Sequence, residues 1–202
     1  MTGRFKEQWQ NYFEGKIEMW SYFGFQYHSN LIAKHLLPIL DVPKSGKIVQ
    51  IGTGLGIAVE TLCHLYGPVR VVGYDLFNPL GHPNIEFLDT EKAIPSVKHM
   101  AYLDIDIGSM SHAKENRKTL LHWALSNMVH GGYILTNKKL ASELALPTNK
   151  PLMSELKTKG INRFDVIELN IFDIPELWSN VHESRLNTKV LLKIYKTKEK
   201  TT

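Results

Sequence analysis

An α/β fold, with helices on both faces of a mostly parallel sheet, is the architecture this chain predicts. Three observations carry it. Strand-like and helix-like segments alternate from Lys47 onward, the stretch KIVQIGTGLGIAV (47–59) runs an apolar strand into a glycine turn that opens a helix, and the last quarter is β-rich. With 202 residues the chain suffices for one such domain and is short for two. A single domain is expected over 1–202, with an N-terminal helical lid at 1–45, an α/β core at 46–196 and a flexible tail at 197–202.

At the N-terminus, Trp9, Phe13, Ile17 and Trp20 share one helical face. Core packing accounts for such a stripe, and the aromatic-dense MWSYFGFQYH (19–28) can alternatively close over a ligand. A second helical stretch, Leu31 to Leu40, ends at DVPKSG (41–46), where proline and glycine mark a turn. Strands are then expected at 47–52, 69–74, 84–88, 100–106 and 132–136, and helices at 55–66, 91–97, 113–129 and 151–159. The runs FDVIELNIF (164–172) and TKVLLKIY (188–195) lack a strong helix between them, which suggests an antiparallel pair closing the sheet.

Charge and cysteine usage narrow the classes of function. The net charge of +4 comes from 24 basic and 20 acidic side chains, and the tail KTKEK (196–200) supplies +2 of it, so nucleic acid is not favoured as a partner. Cys63, the single cysteine, falls in a helical pattern with Val59, Leu62 and Tyr66 and reads as a structural thiol. It cannot pair within the chain, and no apolar run approaches the ~20 residues of a membrane span, so a cytoplasmic protein without a membrane partner is expected.

A strand that ends in glycines and feeds a helix brings backbone N–H groups and a helix N-terminus to a ligand with no Cβ in the way. Register separates the candidate ligands. The phosphate-binding loop needs Gly-Lys-Ser/Thr, whereas Ile57 and Ala58 follow Gly56. The dinucleotide pattern G-x-G-x-x-G needs a third glycine at position 57, which is Ile57. The strand VRVVGYDLFN (69–78) places Asp75 about 20 residues beyond the turn, where a carboxylate can accept ribose hydroxyls. In MAYLDIDIGSMSH (100–112), Asp104 and Asp106 alternate with Leu103, Ile105 and Ile107 and so share a strand face. Buried carboxylates need a partner, a ligand or solvent.

The pattern Gly52-Thr-Gly-Leu-Gly56, with Asp75 at the next strand tip and the run from Glu115 through GGYIL (131–135), resembles the S-adenosylmethionine-dependent methyltransferases of the Rossmann-like class I, over about residues 45 to 195. The resemblance implies a mostly parallel seven-stranded sheet with a C-terminal antiparallel hairpin. It implies S-adenosyl-L-methionine as cofactor, S-adenosylhomocysteine as product and a small-molecule acceptor methylated on O or N. Gln50, Gly52, Thr53, Gly54, Gly56, Asp75, Leu76, Asp89 and Asp106 are the implied cofactor residues, with Leu88 and Thr90 near the adenine. Asp106, His112 and Lys138 are the catalytic candidates, His112 as a general base that titrates near neutrality.

Two departures stand out. Many relatives carry Glu or Asp where this chain has Gln50, and glutamine brings no charge to the cofactor's amino group. Metal-dependent catechol-type relatives use an aspartate after the fourth strand and an Asp-Asn pair after the fifth; here Asp106 and Asn137 are present but Thr136 replaces the second aspartate, so no metal is expected. Asn or Asp followed by Pro-Pro and an aromatic, the mark of exocyclic base methylation, is absent after the fourth strand. Other uses of the pocket are aminopropyl transfer, cofactor cleavage or a catalytically silent binding module.

Overall fold

A computed structural model of the chain describes residues 32–54, 56–76, 78, 81–105, 117–137, 154, 161–168 and 189–196. A π-helical turn, Ile32–Leu36, and a 3-10 turn, Leu37–Ile39, lead into β1 (Lys47–Ile51), α1 (Ile57–Tyr66), β2 (Val71–Asp75), β3 (Ile85–Phe87) and β4 (Met100–Ile105). Then come α2 (Arg117–Asn127), β5 (Met128–Asn137), β6 (Ile161–Glu168) and β7 (Lys189–Lys196). The expected lid stretch 19–28 and the expected helix at 151–159, Ser154 apart, lie outside the described residues.

The sheet order is β3-β2-β1-β4-β5-β7-β6. Pairs from β3 through β5 are parallel, and β7 runs antiparallel to both β5 and β6. The order reverses between β1 and β4, and open α/β sheets bind ligands in the crevice at such a switch point, beyond the carboxyl ends of the strands.

Strands buried on both faces read as continuous apolar runs, which is why Ile48 to Ile51 and Val71 to Tyr74 are so poor in charge. On one face Ile48, Tyr102, Tyr133, Leu135 and Leu191 pack with Val59 and Leu62 of α1 and with Ile32, Leu36 and Leu37. On the other, Val49, Ile51, Leu103, Ile134 and Leu192 pack under Leu120, Leu121, Trp123 and Leu125 of α2. The indole Nε1 of Trp123 donates to the Val97 carbonyl at 3.3 Å and anchors the approach to β4. Ile134→Val, which removes one methylene from this second layer, is expected to lower stability by about 1 kcal/mol, measured from the urea midpoint.

The helix expected at 91–97 is absent. A turn forms instead, with the N–H groups of Lys92 and Ala93 both donating to the Asp89 carbonyl at 3.0 and 2.9 Å. Pro95 stops it there, because proline has no N–H to continue the ladder and disfavours helical backbone at Ile94. The fifth strand begins at Met128, directly after α2, where 113–129 was expected to remain helical.

Candidate functional site

After Ile51 the chain leaves β1 and folds over the sheet edge into α1. Gly52, Gly54 and Gly56 take φ values of 80°, 55° and 83°. The Gly52 N–H extends the ladder to the Tyr74 carbonyl at 2.8 Å, and the Gly56 N–H closes a turn onto the Thr53 carbonyl at 2.9 Å. Gly56 is the N-cap of α1 and brings no capping side chain, so the first N–H groups of the helix are not capped by a side chain. A side chain at Gly56 would be strained in the left-handed region, and its Cβ would lie 2.7 Å from Ile85 Cδ1.

The tip of β2 meets this turn. Asp75, half-buried, accepts the Gly54 N–H on Oδ2 at 2.7 Å, which locks the turn to the neighbouring strand. Gly73 lies two residues earlier, where a Cβ would stand 2.6 Å from Thr53 Cγ2 and 2.9 Å from Val59 Cγ2. Its lack of a side chain is what lets the turn settle on β2. From the far side, His82 Nδ1 accepts the Asn84 N–H at 3.1 Å, so the ring proton sits on Nε2 and is donated to Glu60 Oε2 of α1 at 2.8 Å. This brace between α1 and the loop before β3 is not visible in the sequence, because nothing in the spacing of Glu60 and His82 announces it.

Gln50 and Asp104 are register partners on β1 and β4, each one residue before its strand ends and each 2% exposed. Gln50 Nε2 lies 3.4 Å from Asp104 Oδ2. Tyr102, fully buried on the same face, is held well above its ordinary pKa, first by burial and then by the Asp104 charge.

No family model and no curated protein matches the sequence. Solved structures do match the fold. A SAM-dependent methyltransferase from Archaeoglobus fulgidus is 18% identical, with a TM-score of 0.50, 89% of this chain covered and 100% of that one. The plantazolicin methyltransferase BpumL in complex with SAH is 13% identical, with a TM-score of 0.51 over 88% of this chain and 86% of that one. BpumL bound to a triazolic desmethylPZN analog and SAH is 12% identical, with a TM-score of 0.52 over 95% and 91%.

The chain has the class I methyltransferase fold. Within the methyltransferase fold, the structure brings Gln50, Gly52, Thr53, Gly54, Gly56, Asp75 and Leu76 together at the carboxyl ends of β1 and β2. Asp89 lies just beyond β3, and the Leu88 N–H between them donates to the Asp75 carbonyl at 2.9 Å. Its carboxylate serves the local turn, with Oδ1 accepting the Glu91 N–H at 3.1 Å and Oδ2 pairing with Lys92 at 2.8 Å. Asp106, His112 and Lys138 lie outside the described residues. Among the described residues no group of three His, Cys, Asp or Glu is placed to hold a metal, and no helix is long and apolar enough to cross a membrane. Thr136 is buried on the face opposite Gln50, next to Val190 in the pairing of β5 with β7. The sequence reading missed Gly73 as part of the site, although a glycine inside an apolar strand is the available signal.

The Lys92 hydrogen bond is the largest of the causes that lower the Asp89 pKa. Stability from this pair is present above the carboxyl's ordinary pKa and is lost as pH falls through the lower folded value. Lys92→Ala is expected to move the Asp89 titration midpoint upward, read by carboxyl NMR shifts; an unmoved midpoint would show that the pair does not set it.

Proposed function

We propose that the protein is an S-adenosylmethionine-dependent methyltransferase acting on oxygen or nitrogen of a small-molecule acceptor. The observation that carries this reading is the tie between the Gly54 N–H and Asp75 at the switch-point edge of a sheet in which antiparallel β7 lies between β5 and β6. A dinucleotide-binding sheet of order 3-2-1-4-5-6 lacks that insertion. The similar solved structures include methyltransferases named with SAM or SAH, which supports the cofactor.

The residues fit an adenosyl cofactor. The turn Gly52 to Gly56 leaves its backbone bare of side chains at the glycines, and the uncapped end of α1 adds N–H donors. Asp75 would accept ribose hydroxyls while keeping Gly54 in place; Leu76 would lie against the adenine and Asp89 at its edge. Gln50 and Thr53 hold the methionine end, each with a buried side-chain oxygen that has no hydrogen-bond partner among the described residues. The sulfonium supplies an electrophilic methyl group, so the protein's task is mainly alignment of the acceptor. Asp106, His112 or Lys138 would take the proton from a hydroxyl acceptor. In the same reading the N-terminal segment 1–45 would supply the lid from its part before Ile32, since Ile32, Leu36 and Leu37 pack in the core, and β6 and β7 would make the C-terminal hairpin of the class.

Calorimetry with S-adenosylmethionine, S-adenosylhomocysteine and NAD tests the pocket. Both adenosyl compounds are expected to bind and NAD is not; tight NAD binding with no response to either adenosyl compound would overturn the proposal. Incubation with methyl-labelled S-adenosylmethionine and candidate acceptors then separates methyl transfer from cofactor cleavage and from binding without turnover.

A further inference from the structure

Gln50 occupies the place on β1 where the resembling enzymes often carry a carboxylate, and of its two register partners, Gly73 on β2 and Asp104 on β4, only Asp104 brings a polar side chain. A carboxylate offers only acceptors, so the amide nitrogen of Gln50 is the end that faces Asp104, at 3.4 Å from Oδ2. That orientation fixes the other end as well. Gln50 Oε1 is left as a buried acceptor with no hydrogen-bond partner among the described residues, and so is the Thr53 hydroxyl three residues on. Buried polar atoms are seldom left unmet, and those that are mark strain or a ligand still to arrive. Both atoms belong to the carboxyl end of β1 and its turn, at the switch point.

We infer that the negative charge missing from β1 has been transposed to Asp104 on β4, which orients the Gln50 amide so that Oε1 accepts an N–H from the α-ammonium group of the adenosyl cofactor. Asp104 acts as a positioning residue and countercharge, and Gln50 makes the contact. In the buried setting of these two side chains a charge is screened far less than at the surface, so the carboxylate acts on the ammonium through the amide it holds. The inference rests on the adenosyl reading above and adds to it a residue that the sequence pattern did not nominate for the cofactor.

The test is binding of two ligands that share the adenosine and differ at the amino-acid end. S-adenosylhomocysteine carries the ammonium; 5′-methylthioadenosine does not. Asp104→Asn is expected to weaken S-adenosylhomocysteine by about tenfold or more and to leave 5′-methylthioadenosine within about twofold. The double variant Gln50→Glu with Asp104→Asn returns the carboxylate to β1 and is expected to recover S-adenosylhomocysteine affinity to within about threefold of the parent. Unchanged S-adenosylhomocysteine affinity in Asp104→Asn, or equal loss of both ligands, would overturn the inference. If Asp104→Asn does not fold, Gln50→Met decides by the same two ligands and the same criteria. A parent protein that binds neither ligand would overturn the adenosyl reading itself, a result distinct from loss confined to the Asp104 variants.

Discussion

Asp75→Ala is expected to weaken S-adenosylhomocysteine about a hundredfold or more, the largest binding effect of any single substitution at the site. Two losses combine in it. In the proposed pocket the ribose would lose a charged acceptor, and a hydrogen bond to a charged group contributes about 1.5–3 kcal/mol. The glycine turn also loses the oxygen that holds the Gly54 N–H at 2.7 Å, so the backbone donors proposed to meet the ligand would no longer be fixed. Asp75→Asn separates these contributions, because an amide oxygen can still accept from Gly54 while the charge is gone. The asparagine variant should therefore fall between parent and alanine, near a tenfold loss (about 1.4 kcal/mol). Equal affinity of parent and Asp75→Ala in calorimetry would remove Asp75 from the ribose.

Gly73→Val is expected to have the largest effect on stability, about 3 kcal/mol measured from the urea midpoint. A Cβ at this position would meet Thr53 Cγ2 at 2.6 Å, Val59 Cγ2 at 2.9 Å and Ile85 Cγ1 at 3.2 Å, and valine adds two methyl groups beyond it. None of the three neighbours can retreat cheaply. Thr53 and Val59 belong to the turn and to α1, and Ile85 is the buried residue of β3, so relief for one displaces another. The same crowding lifts the turn from β2, and adenosyl binding should fall together with stability. Gly73→Ala is expected to show a smaller loss of both in the same measurements; no loss in either variant would show that the strand can widen here.

The layered sheet was legible in the sequence because strands buried on both faces leave apolar runs, as at Ile48 to Ile51 and Met100 to Leu103. The turn was legible because its glycines lie within five residues, from Gly52 to Gly56. Failures came where local pattern met a stop or a distant neighbour. Pro95 cancelled a helix whose apolar spacing was otherwise adequate, and the start of β5 directly after Asn127 left no loop signal to read. Gln50 and Asp104 stand 54 residues apart, and only the register of β1 against β4 brings their side chains together. Gly73 and His82 belong to the same class: their significance depends on which atoms arrive from α1 and from the turn, which no one-dimensional spacing states.

The position of β7 has a consequence for how the protein comes into being on the ribosome. β6 precedes β7 in the chain yet is joined to the sheet through it, as the order β5-β7-β6 requires. While synthesis proceeds, β6 emerges with its sheet neighbour still unmade, and the outer edge of β5 waits for the same late strand. Two open edges therefore coexist until Lys189–Lys196 has cleared the exit tunnel, and unpaired edges are templates for pairing with other chains. The part of the sheet beyond β5 is thus completed last, and a chain interrupted before Lys189 carries its aggregation hazard at that edge rather than at the glycine turn.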